Sequence, residues 1–179
     1  MNVVRILNEG GVGVVPTDTL YGVVARADNE KAVRRVYAIK GRTPTKPCII
    51  LLAEIKQLEH FGIIVDEPLI HKLSAYWPGP VSVILTCGPE APAYLHRGTQ
   101  TLAFRLPNEP ALRTLIRDTG PLIAPSANPE GQSPATTMHD AYTYFGQAVD
   151  FYNDGGTRLG PASRIIDLTT DDVRVVRAS

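Results

Sequence analysis

An excess charge of either sign is the first thing this sequence lacks: Lys+Arg and Asp+Glu stand at 18 each in 179 residues. No global positive field therefore draws the chain onto nucleic acid or a membrane surface, and any polyanion contact must come from a local patch. Long apolar runs are missing too, since no stretch approaches the roughly 18 residues of a spanning helix. The opening "MNVVRILNEGG" has no basic segment followed by an apolar core, so no secretory leader is expected. These absences predict a soluble, cytoplasmic chain with no membrane partner. Cysteine is scarce: Cys48 and Cys87 lie far apart in strand-like surroundings, without the spacing of a zinc or redox pair, and are expected to pack as small hydrophobes.

Several signatures are also missing: a Gly-rich loop with Lys-Ser/Thr, a dinucleotide fingerprint, His-Glu-x-x-His and Gly-x-Ser-x-Gly. His60, His71, His96 and His139 are scattered over helices or loops and read as solvated. Covalent catalysis by a triad has no support, and no protein-held metal is expected.

What is present is ordinary globular material, 44% hydrophobic and 20% charged, of a length that buries roughly two-thirds of its unfolded surface as one domain. Helical spacing predicts helices over 2–8, 30–39, 54–60, 68–76, 110–118 and 137–145. Strand-like runs lie at 12–15, 48–53, 81–86, 101–106, 122–124, 149–152, 164–168 and 173–177. The alternation gives an α/β or α+β chain with one mixed sheet. Pro and Gly cluster in "WPGP", "PSANPEGQSP" and "NDGGTRLGP", which make turns and, on a rigid sheet, can also hold ligands.

Four stretches carry chemistry. "VVPTDTLYGVVA" sets Thr17, Asp18 and Thr19 between two apolar runs, where they end a strand in a polar turn; Asp18 is either an orienting residue or a turn cap. "KGRTPTKP" places Lys40, Arg42 and Lys46 within seven positions, which suits a polyphosphate or a solvated basic loop. In "TLAFRL", period-two alternation puts Thr101, Ala103 and Arg105 on one face, a seat for a carboxylate or an ordinary salt bridge. "APSANPEGQSP" offers Ser126, Asn128 and backbone amides to an anion, or simply makes Asx and Ser turns. Near the end, Ser163 and Arg177 fall at strand edges.

"VPTDTLYGV", "KGRTPTKP", "WPGPVSVIL", "LAFRLP", "APSANPEGQSP", "NDGG" and "GPASRIID" with "VVR", in this order and over nearly the whole chain, resemble the threonylcarbamoyl-AMP synthase family with its YrdC-like domain. Thr43, Ala162-Ser163-Arg164 and Ala178 depart from the commoner pattern without removing an assigned side chain. The resemblance implies a twisted mixed β-sheet flanked by helices, with a large concave cavity for ATP and L-threonine. It implies a single YrdC-like domain over 1–179, in the short form without a further C-terminal domain. The implied activity is a nucleotidyltransferase that condenses L-threonine, bicarbonate or CO2, and ATP into threonylcarbamoyl-AMP and pyrophosphate. That product feeds tRNA threonylcarbamoyladenosine, with tRNA met directly or through threonylcarbamoyl-transferase partner proteins. By the same resemblance Arg42, Lys46 and the nearby Lys40 act on the triphosphate, with Mg2+ carried by ATP. Ser126, Ser133 and Arg177 join them on the ATP side, and Thr19, Thr101, Arg105, Ala124 and Ser163 line the threonine side. Two other readings stay open. One is an RNA-binding module of the same fold. The other is a carbamoyl-transfer domain like those in larger hydrogenase-maturation proteins, which would expect acylphosphatase-like and zinc-binding regions that this sequence lacks.

Overall fold

The computed structural model describes residues 2–170 and 172–178. Among the described residues nine strands form one mixed sheet: β1 (Gly13–Pro16), β2 (Tyr21–Arg26), β3 (Ile49–Leu51), β4 (Val81–Thr86), β5 (Thr101–Arg105), β6 (Leu122–Ile123), β7 (Phe151–Tyr152), β8 (Arg164–Asp167) and β9 (Arg174–Arg177). Their spatial order is β7-β1-β2-β6-β3-β5-β4-β8-β9. The β1/β7, β3/β5 and β4/β8 pairs are parallel and the others antiparallel.

The helices are α1 (Val3–Asn8), α2 (Glu30–Lys40), α3 (Glu67–Ser74), α4 (Ala93–His96), α5 (Pro110–Thr119) and α6 (Met138–Phe145). Asn2, Asn29, Asp66 and Thr137 cap four of them with side-chain oxygens that accept backbone N–H groups, satisfying donors that a helix start leaves free. Pro110 opens α5, where its missing N–H is no loss. The segment expected as a helix over 54–60 is a 3-10 helix, Ile55–Phe61, stopped by Gly62.

Alternation along the strands sorts the core into two layers. Val14, Tyr21, Val23, Ile50, Phe104 and Ile123 enter the larger cluster, which also receives Ala32, Val33 and Val36 of α2 and Ala141 and Phe145 of α6. Val15, Val24, Leu51 and Leu122 point to the other face, where Leu7 of α1 and Leu112 and Ile116 of α5 cover them. Successive strand residues point oppositely, so Arg105, next to Phe104, falls on this second face. Two short helices do not cover all of it.

Candidate active site

The uncovered part of that face is a cavity of ≈ 180 Å3. Its lining comes from the β1–β2 turn (Thr17, Thr19, Leu20), Gly22, Arg42, Arg105, Ala124 to Ser126, Ser163 and Arg177. This is smaller than the large cavity expected and below the roughly 300–1,000 Å3 of common ligand clefts. The irregular segment 153–163 reaches the cavity at Ala162 and Ser163. Tyr21, fully buried, holds it through a hydroxyl that donates to the Gly156 carbonyl at 2.7 Å and accepts from the Gly155 N–H at 2.9 Å. Further along, Gly160 passes so close to the turn that a Cβ there would lie 3.0 Å from the Thr19 carbonyl oxygen.

The turn is built to hold a cation. Thr17 N–H closes it on the Leu20 carbonyl at 3.1 Å, and the Thr17 hydroxyl donates to the same carbonyl at 2.7 Å. With that proton used, the Thr17 oxygen accepts from Thr19 N–H at 3.1 Å and from Arg105 Nη2 at 3.3 Å. Arg105 Nη1 donates to Thr19 Oγ1 at 3.2 Å. Asp18 supplies the countercharge, with Oδ1 3.2 Å from Arg105 Nη2, while its Oδ2 accepts from Asn108 N–H at 3.1 Å. Asp18 is thus both orienting residue and backbone cap.

Arg105 is only 4% exposed, and its Nε, like Asp18 Oδ1, makes no aligned hydrogen bond. Burial lowers its pKa from the ordinary arginine value, against the opposing pull of Asp18 and with a further push from Arg177. Arg105 and Arg177 both line this cavity, whose lining among the described residues contains no carboxylate. Such a space favours an anion, and a carboxylate can take paired N–H donors from one guanidinium.

The basic loop divides its labour differently from the sequence expectation. Gly41, at φ 57°, ends α2 and turns the chain toward the cavity. Arg42 reaches the lining; its Nε and Nη2 donate to the Lys46 and Pro47 carbonyls at 3.2 and 2.8 Å. Lys40, grouped above with the phosphate cations, is corrected. It is 3% exposed, and its ammonium donates to the Ser126 and Asn128 carbonyls. Lys40 therefore anchors the "PSAN" turn and does not line the cavity. Burial, reinforced by Arg42, lowers its pKa to about 8.

Lys46 is also outside the lining and pairs with Glu130. Thr43 Oγ1 donates to the same carboxylate at 3.0 Å; Lys46 first, then the Thr43 N–H and hydroxyl, lower the Glu130 pKa to about 2. Glu130 thus competes with any phosphate for Lys46. Glu130→Gln should tighten binding of inorganic triphosphate by about 2- to 5-fold, the scale of one exposed ion pair, in a titration at low salt; unchanged affinity would leave Lys46 a surface cation.

Ser126 and Ser163 line the cavity. The Ser126 hydroxyl donates to Asn128 Oδ1 at 2.6 Å, which leaves its lone pairs for a ligand donor. Arg177 grips the Ser163 carbonyl through Nε and Nη2 at 3.1 and 2.7 Å. Two expected residues fall elsewhere. Ser133 is exposed, and its carbonyl accepts from the Tyr144 hydroxyl; its neighbour Pro134 lines the cavity instead. Thr101 shares the face of Arg105 but pairs with Thr86 at the far end of β5, about 13 Å away at the rise of a strand. Thr17 lines the cavity although the sequence assigned it no ligand role; its hydroxyl stands inside a quoted motif, but nothing local distinguishes it from a turn residue.

The profile of the Sua5/yciO/yrdC family, described as "Telomere recombination", matches residues 5–179. The chain belongs to the Sua5/YciO/YrdC family. Among relatives of this family member, the threonylcarbamoyl-AMP synthase of Bacillus subtilis is 36% identical over 174 residues, covering 96% of this chain and 50% of that protein. The synthase of Cellvibrio japonicus is 32% identical over 94% of this chain and 90% of its own length. The crystal structure of Pyrococcus abyssi Sua5 complexed with L-threonine superposes with a TM-score of 0.90 at 34% identity, covering 97% of this chain and 52% of that one. The chain therefore spans about half the length of some Sua5/YciO/YrdC proteins and nearly all of others. Every cavity residue named above lies within the matched family region.

Proposed function

We propose that this chain is a threonylcarbamoyl-AMP synthase unit that uses ATP, L-threonine and bicarbonate. The observation that carries the reading is the buried Arg105, fixed by Thr17, Thr19 and Asp18, with Nε unpartnered beside a carboxylate-free cavity that Arg42 and Arg177 also line. Supporting it are relatives that carry the synthase name and a similar Sua5 structure described as holding L-threonine.

In this reading Arg105 takes the threonine carboxylate and Arg42 the phosphates. The threonine amine condenses with bicarbonate to a carbamate, releasing water. A carbamate oxygen then attacks the α-phosphorus of ATP as the bond to the bridging oxygen breaks, and pyrophosphate leaves with that electron pair. No protein nucleophile is required; the chain contributes orientation and fixed positive charge. Among the described residues no three or more His, Cys, Asp or Glu side chains are gathered where they could share a metal ion. Mg2+ is expected as part of the nucleotide substrate, held on its phosphate oxygens. Transfer to tRNA, direct or through partner proteins, and a cytoplasmic location complete the proposal; no helix among the described residues is long and apolar enough to cross a membrane.

The test is to incubate the pure chain with MgATP, bicarbonate and labelled threonine. Threonylcarbamoyl-AMP and pyrophosphate should form only when threonine and bicarbonate are both present, and without tRNA. Threonine-independent turnover, or an absolute need for tRNA, would count against it.

A further inference from the structure

Ser82 lies on β4, fully buried, and its hydroxyl meets one partner, Ser163 Oγ at 2.9 Å. Ser163 is 3% exposed and lines the cavity. Its oxygen also accepts from Arg177 Nη2 at 3.2 Å. A hydroxyl carries one proton and two lone pairs, so the direction of the serine–serine bond decides what Ser163 can offer a ligand.

Two arrangements are possible. If Ser163 donated to Ser82, the Ser82 proton would have no acceptor in a site closed to water, and an unsatisfied buried donor is the costly case. If Ser82 donates to Ser163, both lone pairs of Ser163 are filled, one by Ser82 and one by Arg177, and its own proton is left to face the cavity. The second arrangement strands nothing. We infer that Ser82 is a positioning residue that fixes the Ser163 hydroxyl as a donor toward the cavity, so that the substrate group meeting it is an acceptor oxygen of the amino acid. The amino-acid part rests on the synthase reading above; the direction of the bond does not.

A mutant cycle over Ser82→Ala, Ser163→Ala and the double variant separates the two. In ligand-free protein Ser163→Ala strands the Ser82 proton and should lower Tm by about 2 to 4 °C for a chain of this size. Ser82→Ala strands nothing and should lower it less. The double variant should recover most of the Ser163→Ala loss, because removing both partners together is nearly neutral. In calorimetric titration with L-threonine, Ser82→Ala should weaken binding by about 3- to 10-fold, the range of one net hydrogen bond. On the Ser163→Ala background the same change should have no further effect, which a general loosening of β4 would not produce. A wild-type chain that binds no threonine, with the Tm pattern intact, would sink the synthase reading and leave the donor assignment standing. A Ser82→Ala loss that persists without Ser163, or an unchanged threonine affinity in Ser82→Ala, would overturn the positioning role. A double variant no more stable than Ser163→Ala would overturn the bond direction.

Discussion

Arg105→Ala is expected, on the proposed synthase reading, to raise the threonine concentration for half-maximal turnover by about 10- to 100-fold while the ATP requirement stays close to wild type. A hydrogen bond to a charged group contributes about 1.5–3 kcal/mol, and each 1.4 kcal/mol is a factor of ten. The variant also strands Asp18, whose Oδ1 faces Arg105 Nη2, and opening a buried pair from one side costs about 3–5 kcal/mol. The change is therefore best read beside Asp18→Asn/Arg105→Met, which removes both charges. That double variant should recover much of the lost stability without recovering threonine dependence. Were Arg105→Ala to impair ATP alone, or leave threonine dependence untouched, the cavity would have been assigned to the wrong substrate.

Lys40→Met should be the second severe substitution, acting through loop order rather than phosphate contact. It removes two charge-assisted donors from the Ser126 and Asn128 carbonyls, and with Ser126 on the cavity wall turnover should fall about 10-fold or more. A pH series identifies the cause. The Lys40 pKa is about 8 in the folded chain against 10.5 for an ordinary lysine, so between these values the unfolded chain binds a proton that the folded chain does not. Wild-type stability should gain from this group as pH rises across that window, and Lys40→Met should lack the gain. A variant with wild-type stability and turnover would return Lys40 to a dispensable role.

How much could be read beforehand depended on whether periodicity or distance decided the matter. Every expected helix and strand overlaps an observed element, 54–60 as a 3-10 helix, because caps, turn residues and periodic or apolar runs mark them. β2 is absent from the expected strands, since Tyr21 to Ala25 are buried on both faces and a strand covered on both sides shows no alternation. Alternation placed Arg105 and Thr101 on one face correctly, yet says nothing about the length of strand between them. Sequence spacing likewise grouped Lys40 with Arg42 and Lys46. Which cation would be held by carbonyls 86 and 88 residues away is a fact of tertiary folding with no local signal.

The same separations bear on how the molecule is made. Arg105 and Thr19 are 86 residues apart, and Ser82 and Ser163 are 81 apart. A hairpin such as β1–β2 forms from neighbours, but the cavity has no local precursor and exists only once strands distant in sequence have registered, the slow class of folding event. An intermediate with helices and hairpins in place would have no site to offer. A ligand that binds only the completed cavity stabilises the native state by mass action, so substrate should protect the strands on both sides of the cavity from opening, not just the turn it touches.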